Sequence, residues 1–269
     1  EQVNPWTGLD VNHKPKQFQF AIVTDRTGGH RPGIFESAVD KINMMQPEFV
    51  LSVGDLIEGG TTDPAVWKAE WAEFEGMVDK LEMPFFYCPG NHDISNLPMS
   101  AEWKRKFGRD YYSFRYQDVF FLVLNTEDVP EKDKPYQIST AQQRWAIEQI
   151  HNSSDARWTF VILHKPTWTY TEKEQDPAKL GWLSIEDALE GRSYTVFAGH
   201  KHRYAKFQRR GMNYYMLATT GGSTKLEEGI ENGRFDHFVW VTMKDDGPVI
   251  ANILVDGVLP EDVSTLPEK

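Results

Sequence analysis

The chain has 269 residues, and 40 acidic against 29 basic side chains give it a formal net charge of −11. That balance excludes a broad electrostatic footprint for DNA, RNA or an anionic membrane, which Lys and Arg must create by neutralising phosphates. A small anionic substrate stays compatible with it, because a bound metal ion can dominate the local field.

No apolar run approaches the ~20 residues that cross a bilayer, so no membrane partner is expected. Cys88 stands alone, which rules out an internal disulfide, and its position after "PFFY" reads as a buried strand residue. The first residue is Glu1 rather than Met, which reads as a processed or trimmed start. The expectation is a soluble chain of unknown compartment, compatible with export and loss of a signal peptide.

In chain order, a polar lead-in over residues 1–17 is followed by "FQFAIVTD", a buried strand, and "GIFESAVDKINMM", an amphipathic helix. The strand "EFVLSVGD" completes a βαβ unit. The pattern repeats with the helical "PAVWKAEWAEFEGMVDKL" and with "PFFYCPGNHD", a strand running into a turn. "YYSFRY" and "VFFLVLNTE" then read as a hairpin turning at Gln117-Asp118. A helix starts near Ser139-Thr140 and carries "AQQRWAIEQI", and the strand "WTFVILH" follows. The remainder, "YTVFAGH", "KFQRR", "NYYMLATTGG", "DHFVWVTMK" and "VIANILVDG", is mostly strand. Nothing divides residues 18–269, so they read as one α/β domain of two packed sheets with helices outside.

Five strands end in a group that can bind metal: Asp25, Asp55, the pair Asn91-His92, His164 and His200. Taken singly, the aspartates read as helix caps, Asn91 as a turn residue and His164 as a core hydrogen-bonder. Taken together they do not, because ionisable groups on adjacent apolar strand ends are costly to bury unless paired or coordinated. Ligands of open α/β sheets bind at the carboxyl ends of strands. Carboxylate and amide oxygens beside imidazoles suit a borderline-hard divalent ion.

The motifs "GDLIEGG", "GNHD", "LHKP" and "GHKH", in that order after "TD", resemble the calcineurin-like metallophosphoesterase superfamily. They run from Asp25 to His202, about two-thirds of the chain. The resemblance implies a four-layer α/β/β/α sandwich of two mixed sheets and a binuclear centre of Mn, Fe or Zn. It implies that Asp55 bridges the metals, that Asn91, His164 and His200 complete one site, and that Asp25 and His202 belong to the other. An extended segment at His200 and His202 would turn both imidazoles the same way. In the mechanism so implied, a metal-bridging hydroxide attacks phosphorus. His92 protonates the leaving group, and Glu58, three residues after the bridging Asp, orients His92.

One position departs from the pattern. The family places a His two residues after the first Asp, or a Tyr three after it, where this chain has Thr27 and Gly28. Three arrangements follow: water fills the gap and weakens the first metal site, His30 folds back across Gly28-Gly29, or the site is empty. Arg26 and Arg31 flank the gap as forked donors for a substrate phosphate or as partners in ordinary ion pairs. Gly59 replaces the Arg that often follows the second motif in protein phosphatases, which disfavours that branch.

The expected function is hydrolysis of a small phosphomonoester or phosphodiester, with nucleic acid disfavoured by charge. The alternatives are a degenerate single-metal member that binds a phosphorylated ligand without turnover, and a protein Ser/Thr phosphatase. "KPTWTYTEKEQDPAKLGW" reads as a lid or a packed surface loop, with Trp168, Tyr170 and Trp182 as stacking candidates, and Tyr204 is a further rim candidate. His237 reads as a structural hydrogen-bonder.

Overall fold

The computed structural model describes residues 14–128, 137–171, 177–260 and 263–264. The lead-in and the centre of the expected lid, residues 172–176, lie largely or wholly outside these residues. The first strand, β1 (Phe18–Val23), is followed by α1 (Ile34–Met45), β2 (Val50–Ser52), α2 (Pro64–Val78), β3 (Phe85–Phe86) and α3 (Leu97–Phe107). Then come β4 (Tyr112–Tyr116), β5 (Val119–Val123), α4 (Thr140–Asn152), β6 (Trp158–Ile162), α5 (Trp182–Ala188) and β7 (Tyr194–Ala198). The chain continues through β8 (Ala205–Arg209), β9 (Met212–Met216), β10 (His237–Lys244), β11 (Gly247–Leu254) and β12 (Val258–Pro260).

These strands form two mixed sheets, ordered β12-β11-β10-β1-β2-β3 and β4-β5-β6-β7-β9-β8. β1, β2 and β3 run parallel in the first, and β5, β6 and β7 in the second. The expected hairpin is present, with Tyr116 opposite Val119 across Gln117-Asp118.

Period-two alternation explains the layers. In β1, Phe18, Phe20 and Ile22 face the second sheet, while Ala21 and Val23 face the helices α1 and α2. In β5, Val119, Phe121 and Val123 join the same inter-sheet core, while Phe120 and Leu122 pack outward with α4 and α5. Two-sided burial makes these strands apolar runs, as expected of parallel strands covered on both faces. The result is the α/β/β/α sandwich. Cys88 is fully buried in the inter-sheet core, and burial raises its thiol pKa well above the ordinary value.

Two helices differ from the sequence reading. α3 starts where Asn96 accepts a hydrogen bond from the Met99 amide with Pro98 in the first turn, and ends beside Lys104, Arg105 and Lys106. α5 lies at the end of the segment read as a lid. Trp168 and Trp182 are 2% and 0% exposed and pack in the outer core of the second sheet, edge-on to Tyr214. Tyr204 is also 0% exposed, inside the inter-sheet core. These three rings are structural and are not stacking platforms for a substrate.

Candidate metal centre

The strand-end residues converge at one edge of the sandwich. Asp55, His164 and His200 offer ligand atoms within 4.8 Å of one another, and so do Asp25, Asp55 and His202. Asp55 is common to both groups. Asn91 Oδ1 lies 3.1 Å from His164 Nε2, beside the first group.

The geometry is held from behind. His164 Nδ1 donates to the Val53 carbonyl at 2.9 Å, leaving Nε2 turned to Asp55 Oδ2 at 3.2 Å. His202 repeats the device, with Nδ1 donating to the Ser223 carbonyl at 2.5 Å and Nε2 lying 3.4 Å from Asp25 Oδ1. Anchoring one ring nitrogen fixes the tautomer and presents the other, as metal-ligating histidines require. The Thr24 hydroxyl donates to Asp25 Oδ2 at 2.7 Å, and the His200 amide donates to Asp25 Oδ1 at 2.8 Å.

The donor chemistry fits a cation. With Nδ1 of His164 committed to Val53, the atoms Nε2, Asn91 Oδ1 and Asp55 Oδ2 are acceptors facing one another at hydrogen-bond distance. A proton on Nε2 or a metal ion relieves that. The electrostatics agree: burial alone would lower the His164 pKa, but Asp55 outweighs it and drives the ring up to about 9. Burial would raise both aspartates, yet the His202 hydrogen bond holds Asp25, and the nearby His164 holds Asp55, below the ordinary range. Burial beside His164 pushes His200 down to about 2, keeping it neutral.

Backbone conformation marks the same residues. Among the described residues six non-glycines have positive φ, and three of them are Asp55, His200 and His202 at 58°, 74° and 49°. Such strain persists where surrounding structure over-determines it, and it clusters at functional sites. It also corrects the expectation of an extended segment at His200 and His202: their rings reach separate ligand groups through left-handed turns. A Cβ added at Gly90 would overlap the Asp55 carboxylate, and one at Gly199 the Asp25 carboxylate, so both motifs need glycine there.

Other expectations are redirected. Thr27 is fully buried and its hydroxyl faces the Asp55 and Ile57 carbonyls at 3.0 and 2.8 Å, so it serves the backbone and faces away from the ligands. His30 lies beside Glu58, its Nδ1 3.3 Å from Oε1, and belongs to neither ligand group. Glu58 orients His92 through its backbone carbonyl, which accepts from Nδ1 at 2.6 Å, and not through its carboxylate. That carboxylate instead accepts from the Gly29 and His30 amides at 3.0 and 2.7 Å.

Arg26 is buried, donating to the Leu56 carbonyl and pairing with Glu73 at 2.5 Å. Arg31 forks onto the Gly222 carbonyl and pairs with Asp236 at 2.5 Å. Both arginines brace loops and line no part of the cavity in front of the ligands. His237 is the structural hydrogen-bonder expected, with Nε2 accepting from the Ala218 amide and Nδ1 donating to Asn252.

Two supporting residues escaped the sequence reading. Asp93, the last residue of "GNHD", accepts from the amides of Gly90, Asp55, Leu56 and Ile57 at 2.8–3.2 Å and so ties the second motif to the third. Burial and the Asp55 charge push its pKa up to about 7. Lys165, beside His164, pairs with Glu127 at 2.6 Å. A carboxylate following a motif's Asn-His, with glycines nearby, was the available signal for Asp93.

The fold and the clustered carboxylates and imidazoles define a chain of the metallophosphoesterase class. The family model described as calcineurin-like phosphoesterase matches residues 18–204, and the chain belongs to that family. Among its relatives, the Homo sapiens protein named serine/threonine-protein phosphatase CPPED1 is 32% identical over 187 residues, covering 63% of this chain and 59% of its own length. This chain thus spans about three-fifths of that relative. A dimetal phosphatase structure from Danio rerio superposes with a TM-score of 0.65 at 15% identity, covering 90% of this chain and 98% of that one. Purple acid phosphatase PPD1 of yellow lupin also gives 0.65, at 13% identity, covering 91% of this chain and 52% of that one. Among the described residues no helix is long and apolar enough to cross a membrane.

Proposed function

We propose that residues 18–269 act as one metallophosphoesterase domain that hydrolyses a small phosphomonoester or phosphodiester at a centre for two divalent ions. The observation that carries this is the pair of ligand groups sharing Asp55, with His92 beside them. Such ions, of Mn, Fe or Zn type, supply Lewis-acid polarisation of the phosphoryl group and lower the pKa of bound water.

The chain's own residues do the rest. Asp25, His202 and Asp55 would hold one ion, and Asp55, Asn91, His164 and His200 the other. Thr27 does not enter the donor set, so the first ion rests on three protein ligands. The His92 amide donates to Asp55 Oδ1 at 2.9 Å, fixing the loop against the shared carboxylate. With Nδ1 anchored on the Glu58 carbonyl, Nε2 faces the cavity: a Cβ at Gly28 would lie 3.7 Å from it. Protonated there, His92 donates to the departing oxygen, a contribution of roughly 10²–10⁴ in rate.

The test is Mn²⁺-dependent hydrolysis of 4-nitrophenyl phosphate and bis(4-nitrophenyl) phosphate by the wild type and His92→Ala, with metal content measured in parallel. Two ions per chain and a drop of roughly 10²-fold or more in His92→Ala are expected. One ion under every condition and no turnover would support a phospho-ligand binding module instead.

A second reading, a protein Ser/Thr phosphatase, is favoured by the name of the CPPED1 relative and disfavoured by Gly59 at the position of the branch's arginine. A phosphoserine peptide with kcat/KM well above that of both aryl esters would select it.

A further inference from the structure

The cavity in front of the ligands has a volume of 500 Å³ and two unlike walls. Asp55, Asn91, His92, His200 and His202 line it on the side of the ligand groups, here termed the inner wall, and Lys201, Lys225 and Arg234 belong to the rest of the lining, here termed the outer wall. Three cations gathered on one wall run against a net charge of −11 for the whole chain. Cations focused in a cleft raise the local concentration of anions that the remaining surface repels.

The charge balance is incomplete on that wall. Among the described residues a single carboxylate, Glu228, serves both Lys225 and Arg234, each at 3.1 Å. Between these two side chains one positive charge is therefore in excess. Arg234 commits Nε to Glu228 and Nη1 to the His202 carbonyl at 2.8 Å, and among the described residues its Nη2 makes no hydrogen bond. The side chain is only 19% exposed, so it is held in place and does not sweep through solvent.

The wall is also fixed relative to the metal ligands. The Thr224 hydroxyl donates to the His202 carbonyl at 3.1 Å, and His202 Nδ1 donates to the Ser223 carbonyl. Arg234, tied to the His202 carbonyl, sits at a constant reach from the reacting phosphoryl group, as a selective contact requires, while the Lys225 side chain is 66% exposed. A cavity of this size holds an aryl-sized leaving group.

We propose that Lys225 and Arg234 form a second anion subsite, which selects phosphate esters whose leaving group carries a further anionic group, a carboxylate or a second phosphate. The proposal rests on the phosphoesterase reading above. The transferred phosphoryl group lies at the inner wall, while Arg234 Nη2 and the Lys225 ammonium receive the second anion.

The experiment compares 4-carboxyphenyl phosphate and 1,4-phenylene bisphosphate with the neutral isostere 4-carbamoylphenyl phosphate, using Mn²⁺-loaded wild type, Lys225→Gln, Arg234→Gln and Arg234→Lys. Leaving-group chemistry cancels when each anionic-to-neutral ratio of kcat/KM is compared between proteins. A charge-assisted hydrogen bond is worth roughly 10- to 100-fold, so the ratio should fall by that factor in the two glutamine variants and recover in part in Arg234→Lys. The larger fall, for carboxylate or for bisphosphate, identifies the group the subsite takes. Unchanged ratios in Lys225→Gln and Arg234→Gln would overturn the proposal.

Calorimetric binding of 4-carboxybenzylphosphonate and its carboxamide analogue separates the two readings. Loss of the carboxylate preference in the glutamine variants, in a wild type that hydrolyses nothing, would keep the subsite and refute the phosphoesterase reading. Equal binding of both phosphonates to the wild type would refute the subsite itself.

Discussion

Thr27→Val tests whether the residue at the gap in the first motif is a ligand or a backbone tie. Val keeps the shape and removes the hydroxyl. The Asp55 carbonyl would keep two donors, the amides of Arg26 at 3.0 Å and Thr27 at 3.2 Å. The Ile57 carbonyl would lose the one hydrogen bond it receives among the described residues. A lost bond together with a buried unsatisfied carbonyl costs about 1–3 kcal/mol. In a chain of this size that corresponds to roughly 2–12 °C in Tm. Urea unfolding in chelator should show a lower midpoint at unchanged slope, with Thr27→Ser close to wild type, and metal content after Mn²⁺ loading should match the wild type. A wild-type midpoint combined with loss of one ion per chain would refute the reasoning, because the hydroxyl would then be serving the metal.

Gly90→Ala and Gly199→Ala drive a methyl into the Asp55 and Asp25 carboxylates, so each should lower metal content and reduce hydrolysis by about 10²-fold, the effect of a misplacement near 1 Å; retention of both ions would contradict the geometry. His237 is pushed down to about 4 by burial, against 6.5 when unfolded, so the folded state binds fewer protons. Its contribution, on the order of 3 kcal/mol, is intact above pH 6.5 and is lost as pH falls from there towards 4. Urea midpoints of His237→Gln should therefore fall less than those of wild type between pH 7.5 and 5, and parallel curves would count against the assignment. Phe160, with ring centroids 5.1 and 5.3 Å from Phe20 and Phe121, should cost about 3–5 kcal/mol on truncation to Ala, read from the urea midpoint in chelator.

Strands and the polar residues that gather at their ends were legible because both are written in local composition: an apolar run, then a side chain of a type that can bind metal. The two-sided burial that makes β5 a continuous apolar run, and β1 one broken only by Gln19, is the same fact that reveals them. Direction was not legible. Thr27, Arg26 and Arg31 stand beside Asp25 in sequence, yet their side chains turn to the carbonyls of Ile57, Leu56 and Gly222. Spacing assigned His200 and His202 to one extended segment, and only the left-handed φ values explain how the two rings part. α3 was missed because Lys104-Arg105-Lys106 breaks the apolar period, although Asn96 before Leu97-Pro98 is an ordinary helix start. Trp168 and Trp182 illustrate a general ambiguity, since an aromatic-rich loop and a buried outer core have the same composition.

The two sheets supply different halves of the centre. Asp25, Asp55 and Asn91 follow β1, β2 and β3, neighbours in the first sheet, whereas His164 follows β6, and His200 and His202 follow β7, in the second. Carboxylate and amide oxygens thus come from one layer and imidazoles from the other, and the site forms only where the layers meet. The contacts that set their distance run across that seam: His164 Nδ1 to the Val53 carbonyl at 2.9 Å, and the His200 amide to Asp25 Oδ1 at 2.8 Å. Behind them the shared aromatic core, with Phe20 edge-on to Phe121 and Phe160, fixes the spacing of the sheets. Close-packed interiors resist displacement, so the core that keeps the layers together also limits how far oxygen and nitrogen ligands can drift apart. Burying two carboxylates at such a seam would be prohibitive if both came from a layer without opposing cations. Drawing His164 and His202, whose pKa values the aspartates raise, from the facing sheet supplies those cations, and a divalent ion can take the place of their protons.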